Sequence, residues 1–527
     1  MVINLHLHQD FSTLDLSNPH NLLHALRTLR QAVHQEGQET FQQWGAHIPR
    51  SEFLNSALNL AHYLALRRQD LRPLQAALIP WGLSSLGRIE SRVMPNLDAV
   101  IATLATICEP GFILHHPPLQ AFFEGERLLQ RHTEELFGKR LTHRRVRIMV
   151  TLPSAAASDY ELVRNLLQRG TDCVRINCAH DTVEDWQSMI HFVRQAEVET
   201  GQFCKVLMDL AGPKPRTTDV FTPPSRNRVV QGDRIMLMRY SPDTDLSGDE
   251  SIRENIDNIS EVLDNTFITG CTIPEILDQL QPGAAVWIDD GKVGARVLET
   301  HHTLHPSIRH GIVLEVLHAN PKGVKLRADK GLNFPDTVLQ ISPLTEKDYR
   351  DLDFVAAYAD IIGYSFVQRA QDIKLLQQEL EKRLSKGRSI PAIVAKIETL
   401  EVIRNLPDLI VQAASKQPFG VMIARGDLAV EIGYQRLAEM QEEILWLCEA
   451  AHVPVIWATQ VLESLVKTGV PSRGEITDAA MAERAECVML NKGPFIAEAI
   501  TILDDVLTRM QTHQLKKTPQ LRALRSW

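Results

Sequence analysis

The sequence predicts an α/β protein: a (β/α)8 TIM barrel with an inserted small β domain, preceded by an all-α N-terminal domain. Three observations predict it. From residue 147 onward, eight short apolar runs alternate with amphipathic segments, the pattern of βα units around a parallel sheet. Between the third and fourth runs a long stretch intervenes that is β-rich, punctuated by Gly and Pro, and without helical period. Ahead of the first run, the chain carries long amphipathic patterns with few β-branched runs.

Taken in order, HNLLHALRTLRQAVHQE, FLNSALNLAHYLALRRQ and NLDAVIATLATICE predict helices within a domain at 1–143 whose role is not legible. Trp44, Trp81 and Phe112 read as its core. The fragment SSLGRIESRV (84–93) sets two arginines and serines near a helix start, a pattern that can bind an anion, but we read it as a solvated helix face. The eight strands are RIMVTL (147–152), CVRINC (173–178), CKVLMDL (204–210), ADIIGYSF (359–366), PAIVAKIE (391–398), FGVMIARGD (419–427), VPVIWAT (453–459) and CVMLN (487–491). Helical stretches such as 159–170, 181–199 and 438–452 separate them, and eight such repeats most simply close into a barrel at 144–216 and 329–515. The insertion, at 217–328, includes MLMRY, AAVWIDDGKVGARVLE and GIVLEVLH. It leaves a βα loop, on the face where barrel active sites form, so we read it as a lid. A tail occupies 516–527.

The chain has 527 residues, 44% of them hydrophobic, enough for two or three domains with a large core. A net charge of −9 gives no general attraction to nucleic acid or anionic membrane. The seven cysteines are scattered without a CxxC pair and read as reduced. With no signal-like N-terminus and no long apolar run, the expected location is the cytoplasm, with no membrane and no nucleic-acid partner.

The informative polar groups fall at the C-terminal ends of these strands. In IVAKIE, Lys396 and Glu398 stand two apart and project to the same face, and Asp427 closes the next run. Two carboxylates at adjacent strand ends suit a small oxygen-loving cation such as Mg2+, and the lysine can neutralise charge on a transferred group or an enolate. Each acid alone can equally cap a helix start. Arg175, Asn177 and His180 end the second strand, while Asp209, Gly212, Lys214 and Arg216 end and follow the third. Ser365 and Phe366 end the fourth, Gly426 precedes Asp427, and Thr459 ends the seventh. Such a mouth suits an anionic substrate held by Arg and Lys beside a divalent metal held by acids.

RINCAH (175–180), DLAGPKPRT (209–217), WIDDG (287–291), DKGLNFP (329–335), LTEKDYRDL (344–352), AKIE, IARGDLAVEI (423–432), ATQVLES (458–464) and PSRGEITDAA (471–480) occur in this order, and the series resembles the pyruvate kinase family from about 146 to 510. The resemblance implies phosphoryl transfer from phosphoenolpyruvate to ADP, giving pyruvate and ATP in glycolysis. It implies Mg2+, or Mn2+ in its place, at Glu398 and Asp427, with Lys396 stabilising the group in flight and Arg175 holding the substrate phosphate. The Gly426 amide and Asp427 would take the carboxylate end, Thr459 would lie near the enolate methylene, and Ser365 and Phe366 would join the substrate side. Arg216 and Lys330 would contact nucleotide phosphates, with His180 and Asn177 beside them.

Several positions depart from the family pattern. Its serine before the histidine is Ala179 here, and the threonine after Asp209 is Leu210, which weakens a monovalent-cation site at Asn177, Asp209 and Leu210. Lys214 stands where potassium-dependent relatives carry glutamate, so a fixed ammonium is expected to replace K+, which is then not required. On the nucleotide side, TLPSAAAS (151–158), Ala211 and NKGPF (491–495) also differ. The chain stops at Trp527, so the C-terminal allosteric domain of many relatives, with its sugar-phosphate site, is expected to be absent. Self-association, as in relatives, and a protein partner for residues 1–143 are further expectations. Two other readings compete: a Mg2+-dependent enolate-forming lyase or aldolase on the same barrel, and a catalytically weak regulatory or scaffold homologue.

Overall fold

In a computed structural model, the chain is described over residues 14–520 apart from 46–47, 110, 112–113, 140, 142, 224–225, 240–265, 303–310 and 385–386. Phe112, Tyr240 of MLMRY and the end of the tail therefore lie outside the described residues. In chain order the strands are β1 (Arg147–Thr151), β2 (Cys173–Asn177), β3 (Lys205–Asp209), β4 (Thr217–Phe221), β5 (Arg234–Arg239), β6 (Thr266–Cys271), β7 (Ala285–Ile288), β8 (Val293–His302), β9 (Gly311–Ala319), β10 (Leu332–Asn333), β11 (Ile361–Tyr364), β12 (Ala392–Ile397), β13 (Phe419–Ala424), β14 (Val455–Ala458) and β15 (Cys487–Leu490).

Strands β1, β15, β14, β13, β12, β11, β3 and β2 close into a ring in that order, all neighbours parallel. The register pairs Asn177 with Asp209 and Asp209 with Gly363, which brings the polar strand ends to one mouth. Capping boxes start three of the helices around this ring: Thr182 with Asp185, Thr345 with Asp348, and Ser472 with Glu475. Inside, Met149, Cys173, Leu207, Val394, Met422 and Ile456 fill the barrel.

The opposite mouth is plugged from the N-terminal region. Leu136 and Phe137, the last turn of helix Glu124–Phe137, belong to the same apolar cluster as the barrel interior. Gly420 of β13 makes room for them, since a Cβ there would lie 2.5 Å from Leu136 Cδ2. The helices Pro19–Gly45, Leu54–Arg67 and Val93–Cys108 share one continuous apolar core with the outer layer of the barrel. Asn59 ties the layers, donating from Nδ2 to the carbonyls of Glu90 (2.7 Å) and Ala450 (2.8 Å). Trp44 is half-buried and donates to Asp408, but Trp81 is 36% exposed, so the core reading of Trp81 fails. The solvated-face reading of SSLGRIESRV fails as well, because Glu90 and Ser91 are only 2% and 4% exposed.

This junction predicts an acid sensitivity. Buried His452 donates from Nε2 to the Ser91 carbonyl (3.0 Å), which leaves Nδ1 of the neutral ring to accept from Ser56 Oγ (2.9 Å), and burial lowers its pKa from 6.5 to about 4. Burial lowers His62 to about 4 as well. A histidine whose folded value is depressed binds its proton more readily when unfolded, so its contribution is complete above 6.5 and is lost as pH falls toward 4. The expected outcome is a fall in unfolding free energy across that window of up to about 3 kcal/mol from His452. His452→Gln should flatten the profile in pH-dependent denaturation, and an unchanged slope would refute the assignment.

The insertion is a seven-stranded sheet in the order β10, β7, β8, β9, β5, β6, β4, antiparallel except for the β5 and β6 pair. Ile235, Leu237, Phe267, Val286 and Ile288 give it a separate core.

Candidate active site

Asp209 stands at the end of β3 and is 1% exposed. It accepts from Arg175 Nε at 2.9 Å, and Lys396 Nζ lies 3.5 Å away. Burial alone would raise its pKa, but the charges of Lys396 and Arg175 outweigh that and hold the carboxyl below its ordinary value. Lys396 Nζ also reaches Glu398 Oε1 at 2.9 Å and donates to Ser365 Oγ at 2.8 Å. Burial acts to discharge this ammonium, yet Asp209 and Glu398 prevail and keep its pKa above the usual value. Arg175 further donates to Thr151 Oγ1 at 3.2 Å. Five strand ends, those of β1, β2, β3, β11 and β12, thus assemble one cationic pair on buried carboxylates.

Glu398 accepts from the Phe366 amide at 2.7 Å, an arrangement for which Phe366 adopts φ +55°. Its pKa is raised, first by burial and then by the nearby Asp427 carboxylate, against the pull of Lys396. Asp427 does not end a strand. Strand β13 stops at Ala424, and Asp427 sits in the first turn of helix Arg425–Ile432. Its Oδ1 accepts from Lys214 Nζ at 2.6 Å. The Gly426 amide donates to Thr459 Oγ1 at 2.9 Å, and Thr459 holds φ +63°. Arg425 secures this turn from behind, donating to the Ala458 carbonyl (2.9 Å) and pairing with Asp478.

The nucleotide-side residues are placed differently. Arg216 and Lys330 lie at the root of the insertion, linked by the bridge between Arg216 and Gly331. Arg216 pairs with Asp329 at 3.4 Å and Lys330 with Asp289 at 3.7 Å. His180 is exposed, and Asn177 Oδ1 accepts from the Ala179 amide at 3.1 Å, closing a local turn. The Leu210 carbonyl accepts from Ser365 Oγ at 2.8 Å.

Sequence reasoning missed Glu431. It lies one turn beyond Asp427 on the same helix, and Asn333 of β10 donates to it at 3.3 Å. Burial pushes its carboxyl up to about 7, and Asp427 and Glu398 add to the shift. The i, i+4 spacing in RGDLAVE would have found it had the helix been read to start at Arg425. Among the described residues no group of three or more His, Cys, Asp or Glu forms a metal cluster. The donor set that remains, two carboxylates in a buried mouth where acid raises acid, fits a hard cation that takes few protein ligands and keeps positions for substrate oxygens.

Comparison with known proteins agrees with this geometry. The family model described as pyruvate kinase, barrel domain, matches residues 143–499. A pyruvate kinase of Agrobacterium vitis is 32% identical over 381 residues, covering 71% of this chain and 69% of its own. One of Methylorubrum extorquens is 31% identical over 379 residues, covering 71% and 70%. Among solved structures, a pyruvate kinase from Cryptosporidium parvum superposes with TM-score 0.58 at 26% identity over 72% of each chain. With the barrel, the β insertion behind its third strand and the matched sequence running together, this chain belongs to the pyruvate kinase family.

Proposed function

We propose that the protein transfers the phosphoryl group of phosphoenolpyruvate to ADP, giving pyruvate and ATP, as a Mg2+-dependent, K+-independent glycolytic enzyme of the cytoplasm. The observation that carries this reading is the Lys396 ammonium, held on Glu398, Ser365 and Asp209 with Arg175 beside it. Phosphoryl transfer needs alignment and charge neutralisation rather than a covalent nucleophile, and this pair supplies both. Arg175 binds the substrate phosphate. Lys396 neutralises the group as its bond to the enolic oxygen breaks and a terminal oxygen of ADP bonds phosphorus. The enolate left behind takes a proton at its methylene carbon, beside Thr459, and becomes pyruvate. The Gly426 amide and the Asp427 turn orient the carboxylate end. Ser365 and the Phe366 turn hold Lys396 and Glu398 in place. Glu398 and Asp427 would hold Mg2+, which supplies positive charge to the oxygens of the transferring group. Arg216 and Lys330 take the nucleotide phosphates as the insertion covers them. The free cysteines, six of them buried, suit a reducing compartment, and no helix among the described residues is long and apolar enough to cross a membrane.

A coupled assay of pyruvate formation tests the reading, with Mg2+ and with and without K+. Activity in Na+ should equal activity in K+, because the Lys214 ammonium already sits on Asp427. Lys214→Gln should lower turnover by about tenfold or more, with partial recovery in K+. Strict potassium dependence of the unaltered protein would refute this part. A folded protein that binds Mg2+ but turns over no nucleoside diphosphate would favour an enolate lyase on the same acid pair.

A further inference from the structure

On the face of the barrel opposite the active site lies a cavity of about 260 Å³, walled by three parts of the fold. They are the helical region, through residues 88–92 and helix Glu124–Phe137; the barrel floor, through Arg145–Arg147, Glu449 and Ala485–Glu486; and residues 515–518 of the last described hairpin (Gln514–Leu515 with Thr518–Pro519). Its lining carries six cationic side chains and four carboxylates. The carboxylates are largely spoken for: Glu126 by Arg92, Glu90 by Lys517 and Glu486 by Lys516. Burial pushes the fourth, Glu449, up to about 7.

Two of the cations are not matched. Arg147 is 3% exposed, yet among the described residues no carboxylate reaches it. Its terminal nitrogens donate only to the carbonyls of Arg145 (2.9 Å) and Gly138 (2.8 Å), and its Nε has no partner. Burial depresses its pKa, and the more distant charges of Asp172, Glu134 and Glu486 only partly offset it. Arg88, at the rim, has no hydrogen-bond or ion-pair partner among the described residues. The buried Nε donors of Arg92 and Arg145 are unfilled as well. Buried donors of this kind are normally satisfied. Three unfilled guanidinium nitrogens stand on two walls of the cavity, set against Glu90 Oε2 and Glu486 Oε1, which accept no hydrogen bond but belong to carboxylates already paired with Lys517 and Lys516. That leaves an excess of cationic donors, which indicates a missing acceptor. The fragment 84–93, which has no place in the active-site chemistry, forms part of one of these walls.

We propose that this cavity binds a compact organic dianion, a phosphate monoester or a dicarboxylate, on Arg88 and Arg147. Its size lies below the roughly 300–1,000 Å³ of sites for drug-sized ligands, which excludes large ones. Because the ligand would join the helical region, the barrel floor and the last hairpin, occupancy would hold the three together and raise thermal stability by mass action.

Titration calorimetry and thermal unfolding of the full chain, at constant ionic strength, test this with inorganic phosphate and malonate as probes. The background is Arg175→Met, which removes the phosphate contact expected in the active site. The expected result is a saturable one-to-one isotherm and a rise in melting temperature with at least one probe. Arg88→Ala should weaken the affinity about tenfold, and Arg147→Met should abolish binding. Response to phosphate alone assigns a phosphate ester, and to malonate alone a dicarboxylate. Should Arg147→Met not fold, the exposed Arg88 carries the test. Absence of saturable binding by either probe, or binding that Arg88→Ala leaves unchanged, would overturn the proposal.

Discussion

Lys396→Met is expected to lower the turnover of phosphoenolpyruvate and ADP by about 10³-fold or more, the scale lost when a preorganised charge is removed from a developing anion. Methionine keeps the length and much of the volume of the side chain, so the loss would come from charge. The ammonium is fixed by Glu398 at 2.9 Å, Ser365 at 2.8 Å and Asp209 at 3.5 Å, which leaves it no freedom to be replaced by a neighbour. Arg175 cannot fill in, because its Nε is already committed to Asp209. Removing the ammonium also leaves buried Glu398 without its counter-charge, while Asp209 keeps Arg175, so some stability should go with the activity. Steady-state kinetics should therefore be read beside circular dichroism and a melting curve. Lys396→Arg keeps the charge but not the geometry, and should recover only part of the rate. Turnover within tenfold of the unaltered protein in a folded Lys396→Met variant would remove Lys396 from the chemistry.

Gly125→Ala should be among the most destabilising single changes away from the active site. The residue lies in helix Glu124–Phe137, where alanine is ordinarily better than glycine by about 1 kcal/mol. Here a Cβ would stand 1.8 Å from the Ser91 carbonyl oxygen and 2.6 Å from His452 Nε2. The oxygen is backbone and the imidazole is pinned between Ser56 and Ser91, so neither can turn aside cheaply. Overpacking against rigid neighbours costs roughly 1–3 kcal/mol and sometimes more, and loss of the His452 hydrogen bonds adds to it. The clash outweighs the propensity gain, and a net loss of about 3 kcal/mol is expected in urea unfolding, with faster proteolysis of the segment joining this helix to β1. An equal or higher unfolding midpoint would show that the helix leaves room for a Cβ beside Ser91 and His452.

Much of the site was legible before the fold. Lys396 and Glu398 could be paired from their spacing of two, because a strand's period sends both to one face, and they lie 2.9 Å apart. The same reasoning carried Arg175 and Asp209 to neighbouring strand ends, where they meet. It erred at Asp427, because FGVMIARGD runs from strand into helix without a side-chain cap to mark the change. That one boundary hid Glu431. The positive φ of Phe366, which lets its amide meet Glu398, has no signal in the sequence, since neither residue type favours that conformation.

By itself the sequence determined the repeat: eight apolar runs, their helices, the β-rich interruption, and the polar residues that each strand delivers to the mouth. These follow from local periodicity, which short segments express without reference to one another. Only the tertiary structure decided what covers what. The amphipathic stripe of helix Glu124–Phe137 requires burial against something, but that Leu136 and Phe137 should plug the barrel, and Glu90 and Ser91 wall a charged cavity, depends on contacts between segments hundreds of residues apart. A hydrophobic face has no direction beyond being apolar, so its partner is chosen by shape and by which buried polar groups find each other, and those exist only once the chain has folded.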